Sequence, residues 1–285
     1  VDGGAVKISG SSGNMTFANS EFSLNEAGSI GGGVIILKAS GNMTFKDSEF
    51  KSNKAVVDGG AVEISGSSGS MAFLHSNFMS NQAGSIGGGV MVFKASGNMR
   101  FKDSEFKSNK AASQGGAVAI WESFGNMILV DSEFMSNEAG FGGAIVGRSS
   151  GNFLFENSMF EDNQADHGGG GAFLVNCKFT EIKYCTFAGN EGKVGGAAAF
   201  KASNASLLYT TFNSNKALGG GSVYFLGESL DIKNSTFEGN MARLYGGAIH
   251  TISGNKTDVH LAHSTVFINN KANIGGRFSK KPFSP

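Results

Sequence analysis

The sequence predicts an all-β protein folded as a right-handed parallel β-helix, a β-solenoid of about ten coils of 25–30 residues with three short strands in each coil. Three observations predict this class: a Phe-x-x-Asn motif recurs along the chain, a Gly-Gly pair follows each copy, and short apolar segments of period two lie between these markers. Such units are too short to bury a face alone, so they must stack coil on coil. Connections between parallel strands are almost always right-handed.

The Phe-x-x-Asn motif sets the period of the coil. Its phenylalanines stand 25 to 30 residues apart. The ten copies end on Asn25, Asn53, Asn81, Asn109, Asn137, Asn163, Asn190, Asn215, Asn240 and Asn270. We interpret these asparagines as a structural ladder at one corner, in which each side-chain amide bonds to its equivalent one coil away. Asparagine also tolerates the left-handed backbone that a sharp corner needs.

The apolar segments assign the faces of the strands, because successive side chains of a strand point to opposite sides. In the first coil this parity turns the following residues to the interior: Val6, Ile8, Met15, Phe17, Ser20 and Phe22. A Gly-Gly pair such as Gly59-Gly60 would form the opposite corner, where a positive φ or a close approach of neighbouring coils excludes a Cβ. The interior is therefore predicted to be a packed core.

The strand after each Gly-Gly pair also carries apolar residues on the side that parity turns outward. These residues are Ile35, Leu37, Met91, Phe93, Trp121, Val146, Leu174, Tyr224 and Leu226. Soluble monomers rarely expose an apolar stripe of this extent. We therefore expect an interaction stripe for protein partners, either other copies of the chain or other subunits of a surface assembly.

Composition and charge exclude several other classes of protein. Collagen is excluded, because it requires glycine at every third position and abundant proline. Here the 44 glycines do not follow that period, and only two prolines are present. A hydrophobic fraction of 40% with 25 phenylalanines excludes disorder. Lys plus Arg and Asp plus Glu are 23 each, so no basic surplus suggests a nucleic-acid partner. No apolar run is long enough to insert this segment into a membrane as a helix.

The polar residues suggest no catalytic, cofactor-binding or metal-binding set, and no cofactor is predicted. The outward acids Glu21, Glu49, Glu105 and Glu133 occupy one repeating position, which indicates a solvated ladder of charge rather than the converging pair of a glycosidase. His260 and His263 are three residues apart, which does not put them on one face of a strand. Cys177 and Cys185 are eight apart, and either a local disulfide or two small buried thiols fits this spacing.

Five Asn-x-Ser/Thr sequons are candidate glycosylation sites in a secreted eukaryotic protein, at positions expected in turns or on the outside. They begin at Asn14, Asn42, Asn204, Asn234 and Asn255.

The domain organisation is predicted to be a single β-helix over residues 1–279, followed by a tail over residues 280–285. Pro282 and Pro285 favour an end near residue 279, because proline cannot donate to a strand ladder. The chain begins within a repeat, so we expect it to be a piece of a longer protein with an open N-terminal edge.

The pairing of GGA[V/I] with FxxN, from Gly3 to Gly276, resembles the polymorphic outer membrane protein repeat that is best known from chlamydial surface proteins. The resemblance implies a β-helical passenger that is exported through a C-terminal β-barrel and acts in adhesion.

We expect from these observations a non-enzymatic, extracellular or cell-surface rod with a structural or adhesive role, associating laterally through the interaction stripe. One alternative is the passenger of an autotransporter that acts as an adhesin for a host receptor or a glycan. Another is a polysaccharide-active enzyme, because carbohydrate lyases and hydrolases often use this fold.

Overall fold

The computed structural model describes residues 2–253, 257–262 and 264–282. These residues form forty short strands and no helix. Each strand pairs in parallel with its equivalents in the neighbouring coils, and the strands make four sheets that run along the axis of the solenoid. We name them sheets A to D in the order in which the chain first enters them. The predicted parallel β-helix is confirmed.

Sheets A and B follow the Gly-Gly corner. In the described residues, sheet A contains β1 (Val6–Ser9), β5 (Val34–Leu37), β9 (Val62–Ser65), β13 (Val90–Phe93), β17 (Val118–Trp121), β21 (Ile145–Arg148), β25 (Ala172–Val175), β29 (Ala198–Lys201), β33 (Val223–Leu226), β37 (Ile249–Ser253) and β40 (Phe278–Pro282). Sheet B contains β2 (Met15–Ala18), β6 (Met43–Lys46), β10 (Met71–Leu74), β14 (Met99–Lys102), β18 (Met127–Val130), β22 (Asn152–Glu156), β26 (Phe179–Lys183), β30 (Asn204–Leu208), β34 (Ser229–Lys233) and β38 (Asp258–Leu261).

Sheets C and D flank the asparagine corner. Sheet C contains β3 (Glu21–Ser23), β7 (Glu49–Lys51), β11 (Asn77–Met79), β15 (Glu105–Lys107), β19 (Glu133–Met135), β23 (Met159–Glu161), β27 (Thr186–Ala188), β31 (Thr211–Asn213), β35 (Thr236–Glu238) and β39 (Val266–Ile268). Sheet D contains β4 (Glu26–Ala27), β8 (Lys54–Ala55), β12 (Gln82–Ala83), β16 (Lys110–Ala111), β20 (Glu138–Ala139), β24 (Gln164–Ala165), β28 (Glu191–Gly192), β32 (Lys216–Gly219) and β36 (Met241–Tyr245).

Sheet D adds a fourth strand to the three that were predicted for each coil. Most of its strands have two residues, one polar and one alanine, as in β8 (Lys54–Ala55). Two residues are too few to show the alternation from which a strand is recognised. This sheet was therefore not predicted from the sequence, whereas the other three were.

The interior is a continuous stack of aromatic and aliphatic side chains, as parity predicted. Phe78, Phe106 and Phe134 are fully buried, and the ring centroids of successive members lie 4.6 Å apart. Ile8 and Phe22 of the first coil belong to the same core. Each such side chain contributes about 1.5–3 kcal/mol by burial, so the stacks are the main source of stability.

The asparagine corner differs in one respect from the prediction. The left-handed residue is the one before each asparagine, for example Ser52 with φ 52° and Ser108 with φ 54°. The asparagine itself turns its side chain inward, and Asn53 and Asn109 are fully buried. The corner thus divides the two tasks, because the buried amide serves the ladder while a small polar residue takes the left-handed backbone.

The Gly-Gly corner uses both properties of glycine. Gly59 has a φ of 65°, which other residues rarely adopt. Gly60 faces the neighbouring coil so closely that a Cβ would overlap the carbonyl oxygen of Gly88. The two glycines of a pair are therefore required for different reasons.

Strand β40 carries the solenoid past the predicted end at residue 279. Its residues pair in register with β37, and Pro282 lies opposite Ser253. Among the described residues β40 is bonded on one side only, and an edge position tolerates a proline. Residues 280–282 thus belong to the β-helix, and the rest of the predicted tail lies outside the described residues.

Candidate functional site

The predicted interaction stripe is buried within the chain, so its prediction as an exposed surface is wrong. Ile35, Met91, Val146 and Tyr224 have between 0% and 8% of their surface exposed. All four point away from the main core, as parity predicted, and Met91, Val146 and Tyr224 belong to a second core on the outer side of sheet A. This outer core is covered by the connections from sheet D to sheet A.

The connections cover the outer core with both glycines and apolar side chains. A Cβ on Gly31 or Gly87 would press on the Cβ of the outward residue four positions later, so the backbone lies directly on that residue. Ile86, Phe141 and Val194 from the same connections pack against the outer core. Ile35, Met91, Val146 and Tyr224 therefore offer no exposed surface for lateral association.

Leu174 was assigned to the wrong face of its strand. Phe173, not Leu174, pairs with Val146 and belongs to the outer core, whereas Leu174 lies in the main core. The run of four glycines over residues 168–171 hides the register, and a slip of one residue exchanges the faces.

The remaining members of the stripe end the strands of sheet A. Leu37, Phe93, Trp121 and Leu226 are half-buried, and the last three pack on the outer core.

Glu63 interrupts the outer core with a carboxyl group. It lies between Ile35 and Met91 in register, it is 4% exposed, and its Oε2 has no hydrogen-bond partner. Burial raises the pKa of Glu63 to about 9, with a further contribution from the charge of Asp58. Burial also raises the pKa of Asp58, whose Oδ1 accepts a hydrogen bond from the backbone N–H of Ile86 at 2.9 Å. Glu63 is therefore a neutral acid at pH 7.

A groove runs along sheet D in the C-terminal half of the described residues. It has a volume of about 890 Å³. Its floor consists of small residues, namely Ala165, Gly192, Ala217 and Ala242. A narrower cavity of about 270 Å³ occupies the equivalent place in the N-terminal half. Alanine or glycine at this position of each sheet D strand leaves the groove open, because a larger side chain there would fill it.

The walls of the groove carry more positive than negative charge. Lys193, Lys216, Arg243 and Lys271 line it together with Asp166 and Glu191. Within the described residues, none of these four cations approaches a carboxylate to within 4.0 Å. The cations lie on strands or connections of successive coils, about 4.8 Å apart along the axis. The groove thus offers spaced, unpaired positive charges.

This groove was not predicted, although the sequence contains a signal for it. Two residues after every ladder asparagine stands alanine, or in one coil glycine: Ala27, Ala55, Ala83, Ala111, Ala139, Ala165, Gly192, Ala217, Ala242 and Ala272. This regularity marks the small residues that line the groove.

The repeated outward acids lie on sheet C. Glu21 pairs in register with Glu49, and Glu105 pairs with Glu133. In the part of the chain that the structure describes, no three residues of the types His, Cys, Asp and Glu are placed to hold a metal ion. His260 is exposed, and His263 lies outside the described residues.

The two cysteines replace serines in two buried ladders. Cys177 occupies the position that Ser150 and Ser203 occupy in the neighbouring coils. Its backbone N–H donates to Ser203 Oγ at 3.0 Å. Cys185 stands where Ser158 and Thr210 stand. Both thiols are free and buried, and burial raises the pKa of Cys177 to about 11 and that of Cys185 to about 12. The spacing left open a local disulfide or two buried thiols, and the structure shows two buried free thiols.

The sequons differ in accessibility. Asn14, Asn42 and Asn234 are exposed, and Asn204 is half-buried at the start of β30. The Oδ1 of Asn42 accepts the backbone N–H of Ser70 at 2.9 Å. Asn255 lies outside the described residues.

Comparison with known families supports the fold. The family model described as the right-handed β-helix region matches residues 2–134 and residues 120–272. Its hand is the one predicted from the connection rule. The search of curated proteins finds no match. None of the described residues forms a helix of the length and apolarity needed to cross a membrane.

Proposed function

The chain belongs to the right-handed β-helix family, and on this premise we propose that it is a non-enzymatic rod with a structural or adhesive role, located outside the cell or on its surface. The resemblance to polymorphic outer membrane protein repeats supports the adhesive part of this proposal.

The proposal is carried by the contrast between the interior and the surface. The amide ladder continues from Asn25 to Asn270 without a break. The phenylalanine stack beside it is also continuous from Phe22 to Phe267, and the planes of successive rings are inclined by at most 15°. The outward residues change from coil to coil, as at the corner that carries Asp47, His75 and Tyr184. A constant interior with a variable exterior suits a scaffold that presents contacts along its length.

The placement of the two carboxyl groups whose pKa is raised supports a role without catalysis. Asp58 and Glu63, whose pKa values burial raises, lie in and beside the outer core and line none of the cavities described for this chain. A polysaccharide cannot reach Glu63 without displacing the connections above it. A glycosidase would need such a perturbed acid in an open cleft.

Location and activity can be tested separately. Antibodies against the chain are applied to intact and to permeabilised cells of the source organism, and we expect equal labelling of both. Labelling that requires permeabilisation would contradict the proposal. The purified chain is also incubated with acidic and neutral polysaccharides, and we expect no change in their chain length. Depolymerisation that is lost on heating would show an enzyme instead.

An adhesin for a receptor or a glycan is the second candidate, and the groove on sheet D favours it. The double variant Lys193→Glu/Arg243→Glu reverses charge on one wall of the groove, and we expect it to reduce attachment of protein-coated beads to target cells. Lys51→Glu/Lys107→Glu is the matched control, because these exposed lysines lie on sheet C. An equal effect of the two double variants would show that the groove has no special role.

A further inference from the structure

The corner between sheets B and C has a left-handed residue in every coil from the first to the ninth. These residues are Asn19, Asp47, His75, Asp103, Asp131, Asn157, Tyr184, Tyr209 and Asn234, with φ between 47° and 55°. Seven of the nine are Asn, Asp or His, the non-glycine residues that adopt this conformation most readily. Two adjacent coils depart from this rule and use tyrosine.

The two tyrosines are unfavourable choices for the fold. A bulky side chain strains a left-handed backbone more than asparagine does. Tyr184 and Tyr209 are 55% and 52% exposed, so their rings gain little from burial. The rings stack on each other with centroids 5.1 Å apart and planes inclined by 19°. A locally disfavoured residue without a packing role points to a function of its own.

A polar pocket adjoins this aromatic pair. It has a volume of about 310 Å³ and lies on the side of Tyr184 away from Tyr209. Its lining includes Asp131, Glu133, Asn157, Thr186 and Tyr184. Asn157 Nδ2 donates to Asp131 Oδ1 in the preceding coil, so the Asn157 amide is turned toward Asp131. Tyr184 therefore lies beside side chains that can donate and accept hydrogen bonds, and Asn157 of the preceding coil is one of them.

A ring face beside carboxylate, amide and hydroxyl groups is complementary to a sugar. The C–H face of a pyranose packs on an aromatic ring, while its hydroxyl groups donate to carboxylates and accept from amides. Among the residues that line the pocket there is no Lys or Arg, and two carboxylates disfavour an anionic ligand. The neighbouring strands β22 and β26 are bonded on both sides, so an extended peptide has no free edge to pair with.

We propose that Tyr184 and Tyr209, with the pocket of Asp131, Glu133 and Asn157, form a binding site for neutral oligosaccharides. The site rests on the adhesive role proposed above and gives it a ligand class. It is separate from the groove on sheet D, whose charges suit an anionic ligand.

The internal repeat shows which residues can replace the two tyrosines without disturbing the fold. In the double variant Tyr184→Asn/Tyr209→Asn both positions carry the residue that the same corner uses in other coils, so we expect normal folding with an unchanged or higher melting temperature. Phe124→Asn is the matched control, because Phe124 is a 72% exposed aromatic residue of another turn. All proteins are produced in bacteria, so that Asn234, the next residue of the same corner, carries no glycan.

Neutral hexasaccharides of glucose, mannose and N-acetylglucosamine are titrated and followed by calorimetry. We expect at least one to bind the natural chain and the Phe124→Asn variant, and the double tyrosine variant to bind it about tenfold more weakly, the scale of one lost aromatic stacking contact. Equal affinity in the double tyrosine variant would overturn the proposal. Binding of hexalysine without any of the sugars would overturn it in favour of a cation site.

The outcome is distinguishable from a failure of the proposed function. Surface labelling of intact cells together with an absence of sugar binding would remove this site and leave the rod. Cleavage of a bound hexasaccharide, detected by mass spectrometry, would support the site and contradict the non-enzymatic role.

Discussion

Asn137 Oδ1 accepts two hydrogen bonds from Asn109, one from the backbone N–H and one from Nδ2, both at 3.0 Å. Asn109 Nδ2 also donates to the backbone carbonyl of Phe78 at 2.9 Å. One side chain thus links three successive coils. The same three bonds recur at the buried asparagines on either side, so the corner is a chain of amides that supports the backbone at a place where the sheets turn.

Asn109→Ala tests the ladder. The substitution removes the acceptor of the Asn81 backbone N–H and of one Asn81 Nδ2–H, and it removes one donor to the Phe78 carbonyl, in a fully buried corner. Each unsatisfied buried group costs about 1–3 kcal/mol, so we expect the free energy of unfolding to fall by at least about 3 kcal/mol. Urea unfolding followed by circular dichroism measures the loss. Asn25→Ala, at a half-buried corner, is the control and is expected to cost clearly less. Equal losses would mean that the ladder is not the cause.

Cys177→Ser restores the residue that the same ladder uses in neighbouring coils, and we expect the free energy of unfolding to change by less than about 1 kcal/mol. Burial keeps both native thiols protonated at pH 8, because it raises their pKa to about 11 and about 12. Ellman's reagent should therefore react slowly with the folded chain and rapidly in denaturant. Rapid reaction of the folded chain at pH 8 would contradict the buried position.

Alternation in the sequence predicted which residues share a face, and the structure agrees for the main core. Alternation does not say what lies outside a strand. Met91 and Val146 were assigned correctly to the outer side of sheet A, but their burial depends on the path of the connections that carry Ile86 and Phe141. The periodic Gly-Gly pairs mark a corner in the sequence, but they do not show that the connection before them lies on the outer side of sheet A.

The candidate sites show the same limit. Tyr184 and Tyr209 become conspicuous only when the left-handed corner is known, because only then is it clear that asparagine or aspartate is the expected residue. The ladder asparagines, by contrast, repeat at one position in every motif and could be read directly from the sequence.

Glu63→Met tests the buried acid. An apolar side chain fits this position, because its register partners in the neighbouring coils are Ile35 and Met91. The pKa of Glu63 is raised from 4.5 to about 9 in the folded state. The unfolded chain therefore loses this proton first, and the folded state loses stability as pH rises from about 4.5 to about 9. We expect the variant to be more stable than the natural chain by about 3 kcal/mol at pH 7, since pH 7 lies about 2.5 units above the ordinary pKa and one pKa unit corresponds to about 1.4 kcal/mol.

Urea unfolding of both proteins between pH 4 and pH 9 measures this difference. Glu238→Met, at an exposed position of sheet C, is the control for loss of a carboxylate and should show little pH dependence relative to the natural chain. A stability difference for Glu63→Met that persists at pH 4 at its full size would show that packing, and not the carboxyl proton, is responsible.

Val146→Lys tests whether the outer side of sheet A is a buried core or a surface for lateral association. Val146 is fully buried, so the ammonium group would have to leave water or displace the connection that covers it. We expect a loss of at least about 3 kcal/mol in the free energy of unfolding. Val130→Lys is the matched control, because Val130 is a half-buried outward residue of sheet B whose register partner in the preceding coil is Lys102. It should change stability by less than about 0.5 kcal/mol. If Val146→Lys instead folded with unchanged stability and altered only the sedimentation of the chain, the stripe would be an association surface after all.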